Sequence, residues 1–220
     1  SSSLPMELPQ LITYIWLNQS LLSLVNLFYK DQELFNLVKT GNIAYELIRP
    51  KNLYFMWYFK IIGERLSKVI LRSVPFLIFL ILLPEPYKIS LPASFPHFIL
   101  FLLTMTIGTL LMTAIVSLYP IITTHTLNEK GVVGVIITIS DIFSGLVVPI
   151  PFFPKFLQVI SKCMPFQYVS DLPFRIYVGN IGLTEGTYGL IIQIIWLVLL
   201  IGLGYFLMNK SLKKVVVQGG

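Results

Sequence analysis

The sequence is poor in charge, poor in cysteine and without the short signatures of nucleotide or metal chemistry. Charged residues fill 12% of its 220 positions, about half the roughly 25% of a soluble domain. That shortage excludes an ordinary water-soluble globule and points to a chain that meets lipid. A single cysteine, Cys163, excludes an internal disulfide framework and a cysteine-based metal site. No GxxxxGK(S/T) stretch occurs, so the chain has no loop of that kind to cradle ATP phosphates. HExxH and GxSxG are missing too, which removes two hydrolase readings. His125 and Glu129 stand four apart, but two residues do not make a metal site. His97 falls in a proline-rich loop and reads as an interfacial polar residue. The opening SSSLPMELP has no basic n-region, so it is not a signal peptide and reads as a loop.

What is present is apolar. Hydrophobic residues make up 55% of the chain and the mean hydropathy is +0.81. The net charge of +6 sits at the ends of apolar runs rather than on a polar patch, which argues for membrane orientation and against nucleic acid. The runs predict an all-α, polytopic helix bundle with five spans, at about 8–28, 69–83, 98–119, 131–148 and 186–208. Twelve of the 16 basic residues then fall on one side, which the positive-inside rule makes cytosolic. The C-terminus, with Lys210, Lys213 and Lys214, is on that side, and Ser1 is on the other. An outside beginning without a signal leads to the expectation of a further span upstream of Ser1.

Half of the basic residues lie in one stretch, Lys30 to Arg72. Asp31 and Glu33 suit the positive end of a short helix, Lys39 its negative end, and Gly41 its stop. Pro50 fixes its own backbone and biases Arg49 towards extended geometry, giving a rigid corner. An aromatic run, Tyr54, Phe55, Trp57, Tyr58 and Phe59, is expected at the inner headgroup level. Lys60, Glu64, Lys68 and Arg72 follow four apart on one stripe, with Glu64 to Lys68 a favourable pairing. Gln10, Asn18, Gln19 and Asn26 in the first run require a protein or water environment, since unpaired amides in hydrocarbon are costly. Asp141, the one acid inside a span, is a functional candidate by its position, balanced by a plain polar contact within the bundle. From residue 149 to 180 prolines break the chain into amphipathic pieces too short to span, expected at the outer face.

Three stretches, LPQLITYIWLNQSL, the run from Gly41 to Pro50 and the proline-aromatic run from Ser144 to Gly179, together resemble the permease subunits of ABC-2 type transporters. LPQLITYIWLNQSL is similar to the second span of that family. Gly41, Leu47, Arg49 and Pro50 match a G-x-(I/L)-x-x-x-L-(I/L)-R-P pattern that precedes an aromatic helix. Ser144, Gly145, Pro149, Phe153, Pro154, Pro165, Phe166, Pro173, Tyr177 and Gly179 match the family's proline-aromatic signature. The resemblance implies one transmembrane domain over residues 1–220, with six spans and a cytosolic N-terminus in a complete member. It implies the permease of an ATP-driven exporter in the cell membrane of a bacterium. A second permease, identical or related, would complete the path. A separate cytosolic ATPase would bind the ATP, so this chain would hold no cofactor and would not itself be an enzyme. The inner segment 30–68 would couple to that ATPase through Asp31, Glu33, Lys39, Gly41, Arg49 and Pro50. Pro149, Pro154, Pro165, Phe166, Pro173, Tyr177 and Gly179 would belong to an outer gate. A non-transporting membrane scaffold or immunity-type protein is the alternative.

Overall fold

A computed structural model describes residues 4–26, 52–123 and 129–212. The coupling residues Asp31, Glu33, Lys39, Gly41, Arg49 and Pro50 lie outside the described residues, as do His125, Lys213 and Lys214. All regular structure in the described residues is helical. The helices are α1 (Leu8–Ser20), α2 (Leu22–Val25), α3 (Leu53–Ile81), α4 (Phe95–Thr123), α5 (Glu129–Phe143), α6 (Lys155–Lys162), α7 (Asp171–Tyr177) and α8 (Leu183–Leu212). Single 3-10 turns at Ile150–Phe152 and Phe166–Tyr168 separate the short pieces.

Two helices are long and apolar enough by composition to cross a membrane. They are α4 over Phe95–Ile122 and α8 over Leu183–Ser211. At 1.5 Å per residue each exceeds 40 Å, against about 30 Å of hydrocarbon. α4 is the central post, packed against α8, α3 and α7. In its most apolar window 67% of residues are buried, against 17% in α8. α8 therefore shows most of its surface outward, with Ile191, Ile195, Val198 and Leu199 among its exposed apolar residues. That is the pattern of a helix facing lipid, which leaves only a stripe for protein contact.

α3 differs from its expected form. It is one continuous helix of 29 residues that carries the aromatic run, the charged stripe and Pro75 alike. Asn52 caps it by accepting a hydrogen bond from the Phe55 amide. The aromatics expected at the headgroup level divide by face. Tyr54, Trp57 and Tyr58 are buried against Ala114, Ile121 and Met208, whereas Phe55 and Phe59 are exposed. Three of the five therefore work as core residues, because helical spacing turns them towards α4 and α8. Glu64 and Lys68 form the predicted pair at 3.4 Å, an exposed contact contributing a few tenths of a kcal/mol.

The first and fourth expected spans are also less regular than their hydropathy suggests. α1 stops at Ser20 and the chain restarts as the single-turn α2. α5 has 15 residues, about 22 Å of helix, and residues 144–148 leave it as a turn and bend. Gln10 and Asn18 do meet protein: their amides donate to the carbonyls of Val178 and Leu146 at 3.1 and 2.9 Å.

One amide pins α8 to the rest. Gln193 is fully buried, and its Nε2 donates to the carbonyls of Thr104 in α4 and Tyr168 in the second 3-10 turn, at 2.7 and 2.6 Å. Hydrogen bonds between membrane helices average about 0.6 kcal/mol and reach about 1.7. The Gln193→Leu variant should therefore lose about 1–2 kcal/mol, visible as a lower melting midpoint of the detergent-solubilised protein. A midpoint equal to wild type would show that this clasp contributes nothing.

Candidate functional site

The proline-broken segment gathers at one end of the bundle, and its signature residues have separate mechanical tasks. Gly145, with φ +79°, turns the chain out of α5 in the left-handed region that suits glycine. A Cβ there would lie 2.5 Å from the Tyr14 hydroxyl and 2.9 Å from Asp171 Oδ1. Pro149 leads into the first 3-10 turn. Pro154 precedes α6, and its carbonyl accepts from the Leu157 and Gln158 amides. Phe153 packs edge-on against Phe143 at the end of α5. Pro165 and Phe166 form the next turn, and Pro173 is buried in the first turn of α7. Tyr177 stacks edge-on with Phe101 at 5.1 Å. Its hydroxyl donates to the Ser90 carbonyl at 3.2 Å. Gly179, at φ +71°, ends α7 with another left-handed turn.

The structure brings these residues around one that sequence reasoning passed over, Asp171. Only 1% of Asp171 is exposed, and its carboxylate is bonded on every side. Oδ1 accepts from the Tyr14 hydroxyl at 2.9 Å and the Ile150 amide at 3.2 Å. Oδ2 lies 3.6 Å from Arg175 Nη1, one helical turn on. The Asp171 amide donates to the Ser144 carbonyl at 3.2 Å, and the Ser170 hydroxyl donates to that same oxygen at 2.6 Å. The Tyr14 hydroxyl is shared with the Gly145 carbonyl at 3.0 Å. Burial pushes the Asp171 carboxyl above its ordinary value, and the Arg175 charge, the Ile150 amide and Tyr14 oppose that shift. Arg175 Nε donates in turn to Asn180 Oδ1 at 2.7 Å, and Asn180 Nδ2 to the Pro5 carbonyl at 3.0 Å. One acid thereby joins α1, the Gly145 turn, the first 3-10 turn and α7. The available signal was Asp-x-x-x-Arg inside an otherwise apolar segment, the i,i+4 spacing of a helical ion pair.

Asp141 is not part of this network. It is half-buried on α5, and among the described residues no side chain bonds its carboxylate. Arg65 is the second residue that sequence reading missed: it was counted as a basic orientation signal, yet only 2% of it is exposed. Its Nη1 donates to the Ser23 and Leu24 carbonyls at 3.2 and 3.1 Å, and its Nη2 to the Asn26 carbonyl at 3.0 Å. It closes the C-terminal end of α2, where carbonyls lack helical partners and the helix dipole favours a cation.

Nothing in either cluster pairs a nucleophile with a base, and among the described residues no three metal-ligating side chains converge. The arrangement holds elements together and offers polar surface. Two long apolar helices, with buried polar clusters that tie shorter helices to them, are the features of a membrane-embedded helix bundle. Comparison with known families matches residues 7–219 to the ABC-2 family transporter proteins, and the chain belongs to that family. No curated protein and no solved structure matched it. Membership makes it a permease-type membrane component, a part that is not itself catalytic.

The Asp171 network yields a graded expectation. Asp171→Asn leaves the Arg175 guanidinium without its counter-charge and should cost about 3 kcal/mol. Tyr14→Phe removes one shared hydroxyl and should cost about 1–2 kcal/mol. The double variant should lose less than the sum, since Asp171→Asn already weakens, by removing the charge of its acceptor, the bond that Tyr14→Phe removes. Thermal midpoints of the three purified variants check this, and strict additivity would show that Tyr14 and Asp171 act independently.

Proposed function

We propose that the chain is the permease subunit of an ATP-driven exporter, paired with a second permease and powered by a separate cytosolic ATPase. The match of nearly the whole chain to the family carries this reading, together with a sequence that has no Walker A loop of its own. Any energy for transport then has to arrive through a protein contact. The path would run between two permeases, with five crossings in this chain: residues 8–28, the second half of α3, α4, α5 with the turn after it, and α8. The short-helix end would face outward and help close the path. The distribution of basic residues supports that orientation in the cell membrane, with the C-terminus inside.

Cys163, the single thiol, is exposed next to α6 at the short-helix end. In intact cells a membrane-impermeant maleimide should label it. Labelling that requires permeabilised membranes would invert the orientation.

Contact with the ATPase is assigned to the Asp31–Lys39 stretch and the Arg49-Pro50 corner, because they carry the densest inner charge next to a rigid turn. Reversing Asp31 and Glu33 together should reduce co-purification of the ATPase, or separate its turnover from export, while membrane insertion stays normal. An exposed interfacial pair contributes about 1 kcal/mol or less, so the double change is needed. Unchanged co-purification and unchanged export would move the contact to the other inner loop. If no ATPase accompanies the wild-type protein at all, the scaffold reading takes its place.

A further inference from the structure

Beside the Asp171–Arg175 pair lies a cavity of about 180 Å³ whose lining includes Lys162, Gln167, Asp171, Arg175, Glu185 and Tyr188. Its size decides what it can hold. Sites for drug-sized molecules measure about 300–1,000 Å³, so this one takes a compact polar group. Its charges are the informative part. The Asp171 carboxylate is satisfied by Tyr14, the Ile150 amide and Arg175. Arg175 engages Asn180 through Nε and Asp171 through Nη1, and its Nη2 meets no partner among the described residues. The Lys162 ammonium and the Glu185 carboxylate have no ion-pair or hydrogen-bond partner there either. Arg175 thus keeps one donor to spare beside its fold contacts, and Lys162 and Glu185 bring a second cation and an acid to the same small cavity.

The position of the cavity points to a source. Tyr188 and Tyr205 are both exposed on α8, at 65% and 42%. Seventeen positions apart, they are separated by about 26 Å along the axis, close to the thickness of a bilayer's hydrocarbon core. Exposed tyrosines at that spacing mark the two headgroup levels. Tyr188 also lines a neighbouring open groove with Leu183, Thr184, Thr187 and Ile191, and the exposed apolar residues of α8 continue from there. A charged cavity at headgroup level, opening beside an apolar track along a lipid-facing helix, has the polarity of a phospholipid.

We propose that this cavity binds the headgroup of an amine-bearing glycerophospholipid, with the phosphate against Lys162 and Arg175, the ammonium against Glu185, and the acyl chains along α8. A phosphate accepts charge-assisted hydrogen bonds from both cations, and only a headgroup with a positive amine also satisfies the acid. The bound lipid sits on the outward face of one permease, so the assignment does not depend on transport or on an ATPase.

The test uses the full chain, extracted from membranes containing phosphatidylethanolamine and phosphatidylglycerol, with retained lipid measured by native mass spectrometry. Wild type should retain phosphatidylethanolamine in preference to phosphatidylglycerol. Lys162→Gln should lower that retention about fivefold, the upper end for one partly exposed charged contact. Glu185→Gln should keep the phosphate contact but lose the preference between the two lipids. Both side chains are exposed, so neither change removes a fold contact, and an unaltered gel-filtration profile checks that. Equal retention of the two lipids by wild type, or retention unaffected by both substitutions, would overturn the proposal. A third arm adds soluble glycerophosphoethanolamine. Displacement of the lipid at equal concentration would reassign the cavity to a free zwitterion and overturn the membrane source.

Discussion

A carboxylate buried in an apolar setting has to be bonded on all sides, and Asp171 shows how much structure that requirement can organise. A buried charge with no partner costs several kcal/mol, so Oδ1 and Oδ2 need donors from whichever elements are near. Those donors come from α1, the first 3-10 turn and α7 itself. The short helices are individually too small to be stable alone; isolated helices below about 12–15 residues are marginal in water. Their fixed arrangement therefore comes from this shared acid and from the two glycine turns, more than from helix propensity. The five prolines of the segment stand at the caps and first turns of its short pieces, where a missing N–H removes no helical bond.

The same need to satisfy polar groups internally governs the long helices. Thr104, Thr109 and Thr113 are buried in α4, and each hydroxyl donates to a carbonyl one turn earlier on its own helix. That removes a donor from hydrocarbon without committing it to a neighbour. Gln193 and Arg65 do commit to neighbours, and each closes a junction that apolar contact alone would leave free to slide. Apolar packing against lipid-like surroundings gives little preference for one neighbour over another, so a few polar side chains fix how the helices meet.

Legibility of the sequence followed the range of the forces. α4 and α8 could be read as single spans because an uncharged run of that length is a local property of composition. The i,i+4 pair of Glu64 and Lys68 was equally local and forms as expected. α3 was harder: its charges resemble an interface boundary, yet the helix runs through them, with Arg65 buried and Lys68 and Arg72 exposed. Tyr54, Trp57 and Tyr58 were read from residue type, which does not report that they are buried between helices. The proline signature could be located but not explained. Its meaning lies in contacts such as Tyr14 with Asp171, 157 residues apart, and no periodicity reports a pairing at that distance. The Gly145 and Gly179 positions gain their reason only from the backbone angles and the atoms that crowd a Cβ.

The joint at the end of α5 has a mechanical consequence. The Ser144 carbonyl is gripped by both the Ser170 hydroxyl and the Asp171 amide, just before the Gly145 turn. Drawing α5 along its own axis would strip both bonds in a buried place, at roughly 1–3 kcal/mol for each stranded group. Rotating α5 about that turn leaves them in place. The helix is therefore anchored at its Ser144 end and held there against travel along its length.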